Sequence, residues 1–252
     1  MSFNVVIPAR YASTRLPGKP LLDIAGEPMV IRVAEQANKS GAIRVVIATD
    51  FEKIIQVARD NNIEAVLTSV DHVSGTDRIA EVAQNLNWAD DEIVVNVQGD
   101  EPLIDPALIQ EVALTLAHSK DAVMATACHA INDEASMLNP NVVKLVMDID
   151  GNALYFSRSP IPYPRDDIDK KKIKAHRHIG IYAYRVGFLK KYTELSVTSL
   201  EKIESLEQLR VLHHGYKIAV SVTDAAPASG VDTQEDLDYV RSIFTEKMTD
   251  KS

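Results

Sequence analysis

The sequence contains one cysteine, Cys128, among 252 residues. One thiol excludes an intrachain disulfide and a multi-cysteine zinc site, and Cys128 is expected to be buried filler. Long apolar runs are missing too: nothing approaches the roughly 18 consecutive apolar residues of a membrane-spanning helix. No basic segment leads into an apolar stretch at the start, so a secretory leader is not expected and a reducing cytoplasmic setting is. The chain has no cationic surplus. A net charge of -9 argues against broad nucleic-acid binding, while leaving room for one local cationic pocket. Two nucleotide-binding signatures are also absent, since neither G-x-x-x-x-G-K-S/T nor G-x-G-x-x-G occurs. With 46% hydrophobic and 25% charged residues, disorder is excluded and an ordinary globular chain remains.

What is present is a repeated alternation. NVVIPAR (4–10), RVVIATD (44–50) and EIVVNVQGD (92–100) are β-branched apolar runs that end in polar residues. Continuous apolar strands of this kind suit a parallel sheet buried on both faces. Helical spacing lies between and after them, at Val30, Val33, Ala34 and Ala37, at Ile79, Val82, Ala83 and Leu86, and at Ile109, Val112, Ala113 and Leu116. The first half therefore reads as an open α/β sheet. Later segments change character. VVKLVMDIDGNALYFSR (142–158) reads as two strands joined at Asp150–Gly151, and HRHIGIYAYR (176–185) as another strand. Between them, residues 159–174 are rich in proline and charge and read as an exposed loop. SLEKIESLEQLRVLHHG (199–215) reads as one helix stopped by Gly215. Thr233 and Asp236 have capping-box spacing at the start of a last helix. No linker or repeat divides the chain, so one domain with an antiparallel excursion at about 130–185 is expected.

The loop after the first strand is cationic. It carries Arg10, Arg15 and Lys19, and no acidic residue precedes Asp23. In an open α/β sheet ligands bind beyond the carboxyl ends of the strands. Three cations there, with Gly18 permitting close backbone approach, favour a polyphosphate over a merely solvated loop. Asp100 stands just past the third run at the same edge, and Asp232 lies before the last helix. Each could be a turn or cap residue. Together with a phosphate loop, they are the parts of metal-assisted phosphoryl transfer, with magnesium as the hard cation.

The segments IPARYASTRLPGKPL, DHVSGTDR, VNVQGDEP, NPNVVKLVMD, ALYFSRSPIP, RHIGIYAYR, SLEQLR and GVDTQEDL, in this order, resemble the motifs of the CMP-KDO synthetase family. These are the 3-deoxy-manno-octulosonate cytidylyltransferases, and the resemblance runs over nearly the whole chain. It implies a Rossmann-like nucleotidyltransferase fold, a mostly parallel sheet with helices on both faces, and a cytoplasmic homodimer. It implies coupling of CTP to KDO with release of pyrophosphate, supplying CMP-KDO for lipopolysaccharide. By the same resemblance Arg10, Ser13, Arg15 and Lys19 meet the CTP phosphates, and Ala9, Ser74, Gly75 and Arg78 surround the nucleotide. Asp100 and Asp232 hold magnesium, so that Arg10, Lys19, Asp100 and Asp232 form the catalytic group. Gln98, Arg158, His178, Tyr182, Glu207 and Gln208 line the KDO pocket.

Other conspicuous residues carry plainer expectations. Trp88 and the tyrosines read as packing. His72 reads as a cap on the Ser74–Gly75 turn, and His213 and His214 as partners of a helix end. Lys170, Lys171, Lys172 and Lys174 read as a solvated run, since no aromatic residues interleave with them. Two rivals stay open: a cytidylyltransferase for 8-amino-KDO or another 2-keto sugar acid, and a non-catalytic nucleotide-binding protein on the same fold.

Overall fold

The computed structural model describes residues 2–12, 16–72, 74–166, 175–224, 226–228 and 230–249. The alternating apolar runs become a parallel half-sheet: β1 (Asn4–Ala9), a short ribbon of β2 (Asp23–Ile24) and β3 (Glu27–Pro28), α1 (Met29–Asn38), β4 (Arg44–Thr49), α2 (Glu52–Asp60), β5 (Glu64–Leu67), α3 (Gly75–Asn85), β6 (Ile93–Asn96) and α4 (Pro106–His118). The second half adds β7 (Ala122–Ala130), α5 (Glu134–Leu138), β8 (Lys144–Met147), β9 (Ala153–Ser157), β10 (His176–Arg185), α6 (Val186–Tyr192), α7 (Ser199–Glu204), α8 (Gln208–His213), β11 (Lys217–Thr223) and α9 (Gln234–Thr249).

Strand order along the main sheet is β11-β7-β10-β6-β1-β4-β5. β1 pairs in parallel with β4 and β6, β4 with β5, and β11 with β7. β10 alone on this path runs against its neighbours β6 and β7. The hairpin of β8 and β9 attaches to the start of β10, which is the expected antiparallel excursion. Its turn holds Gly151 at φ 79, where glycine avoids the Cβ penalty.

Adjacent residues of the apolar runs face opposite layers. Val5 and Ile7 join the core beneath α1, α2 and α4, whereas Val6 joins the core beneath α3, α6 and α8. That explains why these runs show no alternation: both faces are covered by helices, and each buried Val or Ile contributes roughly 1.5–3 kcal/mol. All four apolar positions read for α1 and for α4 are buried. A third, smaller core under α9 includes Ile24, Met29, Val231 and Leu237. Cys128 is fully buried, and burial pushes its thiol up to about 12. Trp88 is buried, as expected of packing. No described helix is long and apolar enough to cross a membrane.

Two local expectations are corrected. Residues 199–215 are not one helix. Ser205 adopts φ 52, and the chain turns between α7 and α8. The reason is tertiary: Arg158 Nε takes the Glu204 carbonyl at 2.6 Å, displacing a helical amide, while Arg210 grips Glu201 at 2.5 and 2.9 Å. His72 does not cap the Ser74 turn. Its Nε2 meets the Glu81 carboxylate, and Ser74 with Asp77 forms the capping box of α3 instead. Of the two histidines, His214 does serve a helix end, its Nδ1 lying 3.0 Å from the Arg210 carbonyl. Residues 170–172 and 174 lie outside the described residues.

Candidate active site

The carboxyl ends of β1, β4 and β6 open on one edge, and the loops leaving them carry the polar groups. β1 ends at buried Ala9, followed by exposed Arg10. Gly18, at φ 67, starts the short 3-10 turn Lys19–Leu21. That turn aims Lys19 at the loop after β6. Its Nζ lies 2.6 Å from Asp100 Oδ2 and 3.1 Å from Asp232 Oδ1. The loops are close because glycine permits it. A Cβ on Gly99 would meet the Pro8 carbonyl oxygen at 2.7 Å, and Gly230 packs on the Asp100 backbone.

Neither aspartate is a cap. Asp105 caps α4 through Ala107 N at 2.8 Å. Thr233 and Asp236 form the box at the start of α9, with Thr233 N 2.8 Å from Asp236 Oδ2. Two carboxylates on separate loops therefore converge on one ammonium. Among the described residues no third His, Cys, Asp or Glu joins them. The donor set fits a hard divalent cation that completes its shell with water and phosphate oxygens, as magnesium does. Asp100 also affects its neighbour: burial first, and the Asp100 charge second, push Glu101 up to about 7.

Two residues beyond the cluster towards β6, Gln98 lines a cavity of about 330 Å³. Its wall also includes Gly75, His178, Tyr182, Glu207 and Gln208. His178, Tyr182, Glu207 and Gln208 come from parts of the chain that only the fold brings near, the first two from β10. Tyr182 of β10 sits opposite Asn96 of β6, and Glu207 and Gln208 come from the corner between α7 and α8. Burial holds Glu207 above the usual carboxylate range, with Arg210 opposing that shift. Gln208 Nε2 is buried without a partner among the described residues, a cost that a polar ligand would offset. Burial pushes His178 down to about 3, so its imidazole is neutral at ordinary pH.

Not every residue implied by the resemblance reaches this surface. Arg78 is fully buried below it, 2.9 Å from Asp50 and beside Thr68. Burial lowers the Arg78 pKa, Asp50 opposes this, and the nearby Arg10 charge adds to it. Arg158 lies behind the α7–α8 corner, its guanidinium committed to the carbonyls of Glu204 and Pro140 at 2.6 and 3.0 Å. The Ser74 hydroxyl serves the capping box. Ser13 and Arg15 lie outside the described residues. Conversely, Thr76, Asn96, Tyr184 and Tyr192 line the cavity without having been singled out. Asn96 and Thr76 sit inside quoted motifs, so motif membership was the available signal. Tyr184 and Tyr192 read as ordinary packing.

The cytidylyltransferase family model matches residues 4–218. A curated 3-deoxy-manno-octulosonate cytidylyltransferase of Herminiimonas arsenicoxydans is 56% identical over 252 residues, spanning 98% of this chain and 100% of that protein. A solved structure of CMP:2-keto-3-deoxy-manno-octonic acid synthetase complexed with CTP is 42% identical, with a TM-score of 0.90, covering 98% of this chain and 99% of that one. A cationic loop, paired carboxylates and a polar cavity on one sheet edge agree with these likenesses, and the chain belongs to the cytidylyltransferase family.

Proposed function

We propose that this chain is a 3-deoxy-manno-octulosonate cytidylyltransferase. It couples CTP to KDO, gives CMP-KDO and pyrophosphate, and serves lipopolysaccharide biosynthesis in the cytoplasm. One observation carries the reading. The cluster of Lys19, Asp100 and Asp232 adjoins, through the Gln98–Asp100 loop, a polar cavity of about 330 Å³. With a divalent cation held by the two carboxylates, a triphosphate would suit the cluster, and a polyhydroxylated sugar acid suits the cavity.

The reaction joins two anions. The anomeric hydroxyl oxygen of the sugar bonds to the α-phosphorus, the bond from that phosphorus to the bridging oxygen breaks, and pyrophosphate leaves. The hydroxyl proton passes to solvent. Arg10, Arg15 and Lys19 neutralise the phosphate oxygens, and the Ser13 hydroxyl donates a hydrogen bond to them. Ala9, Ser74, Gly75 and Arg78 form and brace the nucleotide's surroundings. Gln98, Tyr182, His178, Glu207 and Gln208 orient the sugar, and Arg158 supports their corner from behind. Holding both reactants in one geometry removes much of the entropic barrier. Asp100 and Asp232 would hold magnesium, which supplies Lewis-acid polarisation of phosphate oxygens and charge neutralisation.

The chain forms one nucleotidyltransferase domain over residues 1–252 and pairs as a homodimer through the excursion at about 130–185. Exposed Leu138, Leu154 and Tyr163 on that segment support this contact. A monomeric mass in light scattering at micromolar concentration would count against it.

Pyrophosphate release is the test of the reaction, with CTP, magnesium and KDO omitted in turn. Release that needs all three supports the proposal. Release with 8-amino-KDO but not KDO changes the substrate and keeps the chemistry. No release with either sugar acid returns the chain to a nucleotide-binding role.

A further inference from the structure

β10 carries an irregularity where it passes the cavity. Its register against β7 moves from Ile179↔Ala127 to Tyr182↔Thr126, so two β10 residues intervene where β7 has none. Such bulges re-aim side chains next to sites. Here the bulge turns two carbonyls, those of Ile179 and Ile181, towards the fully buried Thr126 hydroxyl at 3.1 and 2.7 Å. The same hydroxyl lies 3.0 Å from His178 Nε2.

A threonine hydroxyl has one proton and two lone pairs. Carbonyl oxygens only accept. With two of them facing the Thr126 oxygen, the hydroxyl proton must point at a carbonyl, since otherwise buried lone pairs would oppose each other at 2.7 Å. Thr126 can then only accept from His178. The ring is neutral, so it carries one N–H, and that proton is on Nε2. Nδ1 is left as a lone-pair acceptor, and no other hydrogen bond to this ring occurs among the described residues. Phe156, edge-on with ring centroids 5.0 Å apart, and Tyr182 at 5.3 Å hold the imidazole plane.

We propose that Thr126 is a positioning residue that fixes His178 as its Nε2–H tautomer, and that His178 Nδ1 accepts a hydrogen bond from a hydroxyl of the sugar acid. The second half rests on the function proposed above. An acceptor at this point selects a donor group on the ligand. It disfavours placing the sugar carboxylate against the ring, because an acceptor facing a carboxylate leaves both unpaired.

Long-range proton–nitrogen correlation spectra of the histidines read the tautomer directly, with His178→Gln assigning the signal. The expected pattern is Nε2-protonated in the parent protein. An Nδ1-protonated pattern overturns the proposal whatever the enzyme does. Thr126→Val removes the hydroxyl at constant shape, and Thr126→Ser retains it. In Thr126→Val the pattern shifts towards Nδ1–H, and the KM for KDO rises about five- to tenfold while that for CTP stays constant, the scale expected for one lost hydrogen bond. Thr126→Ser restores both. If Thr126→Val alters neither the spectrum nor the KM for KDO, the positioning role is wrong. If Thr126→Val does not fold, the parent spectrum and Thr126→Ser still decide. A parent protein inactive on KDO but with the Nε2–H pattern removes the proposed reaction and leaves the tautomer standing.

Discussion

Gly99→Ala tests how closely the first and third strand-end loops must meet. The added Cβ would sit 2.7 Å from the Pro8 carbonyl oxygen, whereas ordinary contact begins near 3.4 Å. The difference, 3.4 − 2.7, is 0.7 Å. Pro8 cannot yield, because β1 is paired on both sides and Val97 N is bonded to Val6 O at 3.1 Å. The loop after β6 must therefore lift, and Asp100 moves with it, away from Lys19 at 2.6 Å. Overpacking of this kind costs about 1–3 kcal/mol. A loss of about 2 kcal/mol lowers Tm by roughly 4–8 °C for a chain near this size. A misplacement approaching 1 Å at reacting groups costs up to about 10²-fold in rate. The expected result is a fall in kcat of about 10- to 10²-fold, larger than the modest melting shift alone would explain. Pyrophosphate release and thermal unfolding on the same preparation measure both. Parent values of kcat and Tm would refute the reasoning, because the clash is with backbone and has no side-chain escape.

Asp100→Asn keeps the shape but removes a carboxylate; kcat is expected to fall about 10²-fold or more while the melting temperature changes little, and unaltered turnover would show that the carboxylate is not used. Lys144 is fully buried and donates to the carbonyls of Asn139, Val142 and Arg158. At about 1–3 kcal/mol for each buried acceptor left without a donor, Lys144→Met should lower the unfolding free energy by at least ~2 kcal/mol in urea titration. His178 has its folded-state pKa pushed by burial from 6.5 to about 3. Below pH 6.5 the unfolded chain takes up a proton that the folded chain refuses, so this residue's stabilising share is complete above 6.5 and lost as pH falls towards 3. His178→Gln should therefore lose less stability than the parent between pH 7 and pH 5; an equal loss in both would remove the shift.

The parallel half-sheet was legible because burial on both faces writes an unbroken β-branched run, and Val5 and Val6 answer to opposite cores. Helices α1 and α4 were legible for the complementary reason: their apolar positions recur at helical spacing and all face inward. The charges of the first loop and the aspartates beyond the strands were legible as residue types gathered at one sheet edge, and the structure brings Lys19, Asp100 and Asp232 together there. Residue types alone did not reveal the α7–α8 corner. Its break comes from Arg158 and Arg210 capturing Glu204 and Glu201, partners that helical spacing does not register.

Arg78 and Arg158 show the same limit from the other side. Each lies within a motif of the resemblance, yet depth in the fold puts one under the loop with Asp50 and the other behind the corner. The sequence by itself determined the layers and the charges gathered at one sheet edge, because patterning and composition are properties of the chain. Tertiary structure decided which polar groups face the cavity, which nitrogen of His178 bears the proton and how near Gly99 comes to Pro8. Those depend on register, burial and distances between segments far apart in the chain, and such distances exist only once the sheet has formed.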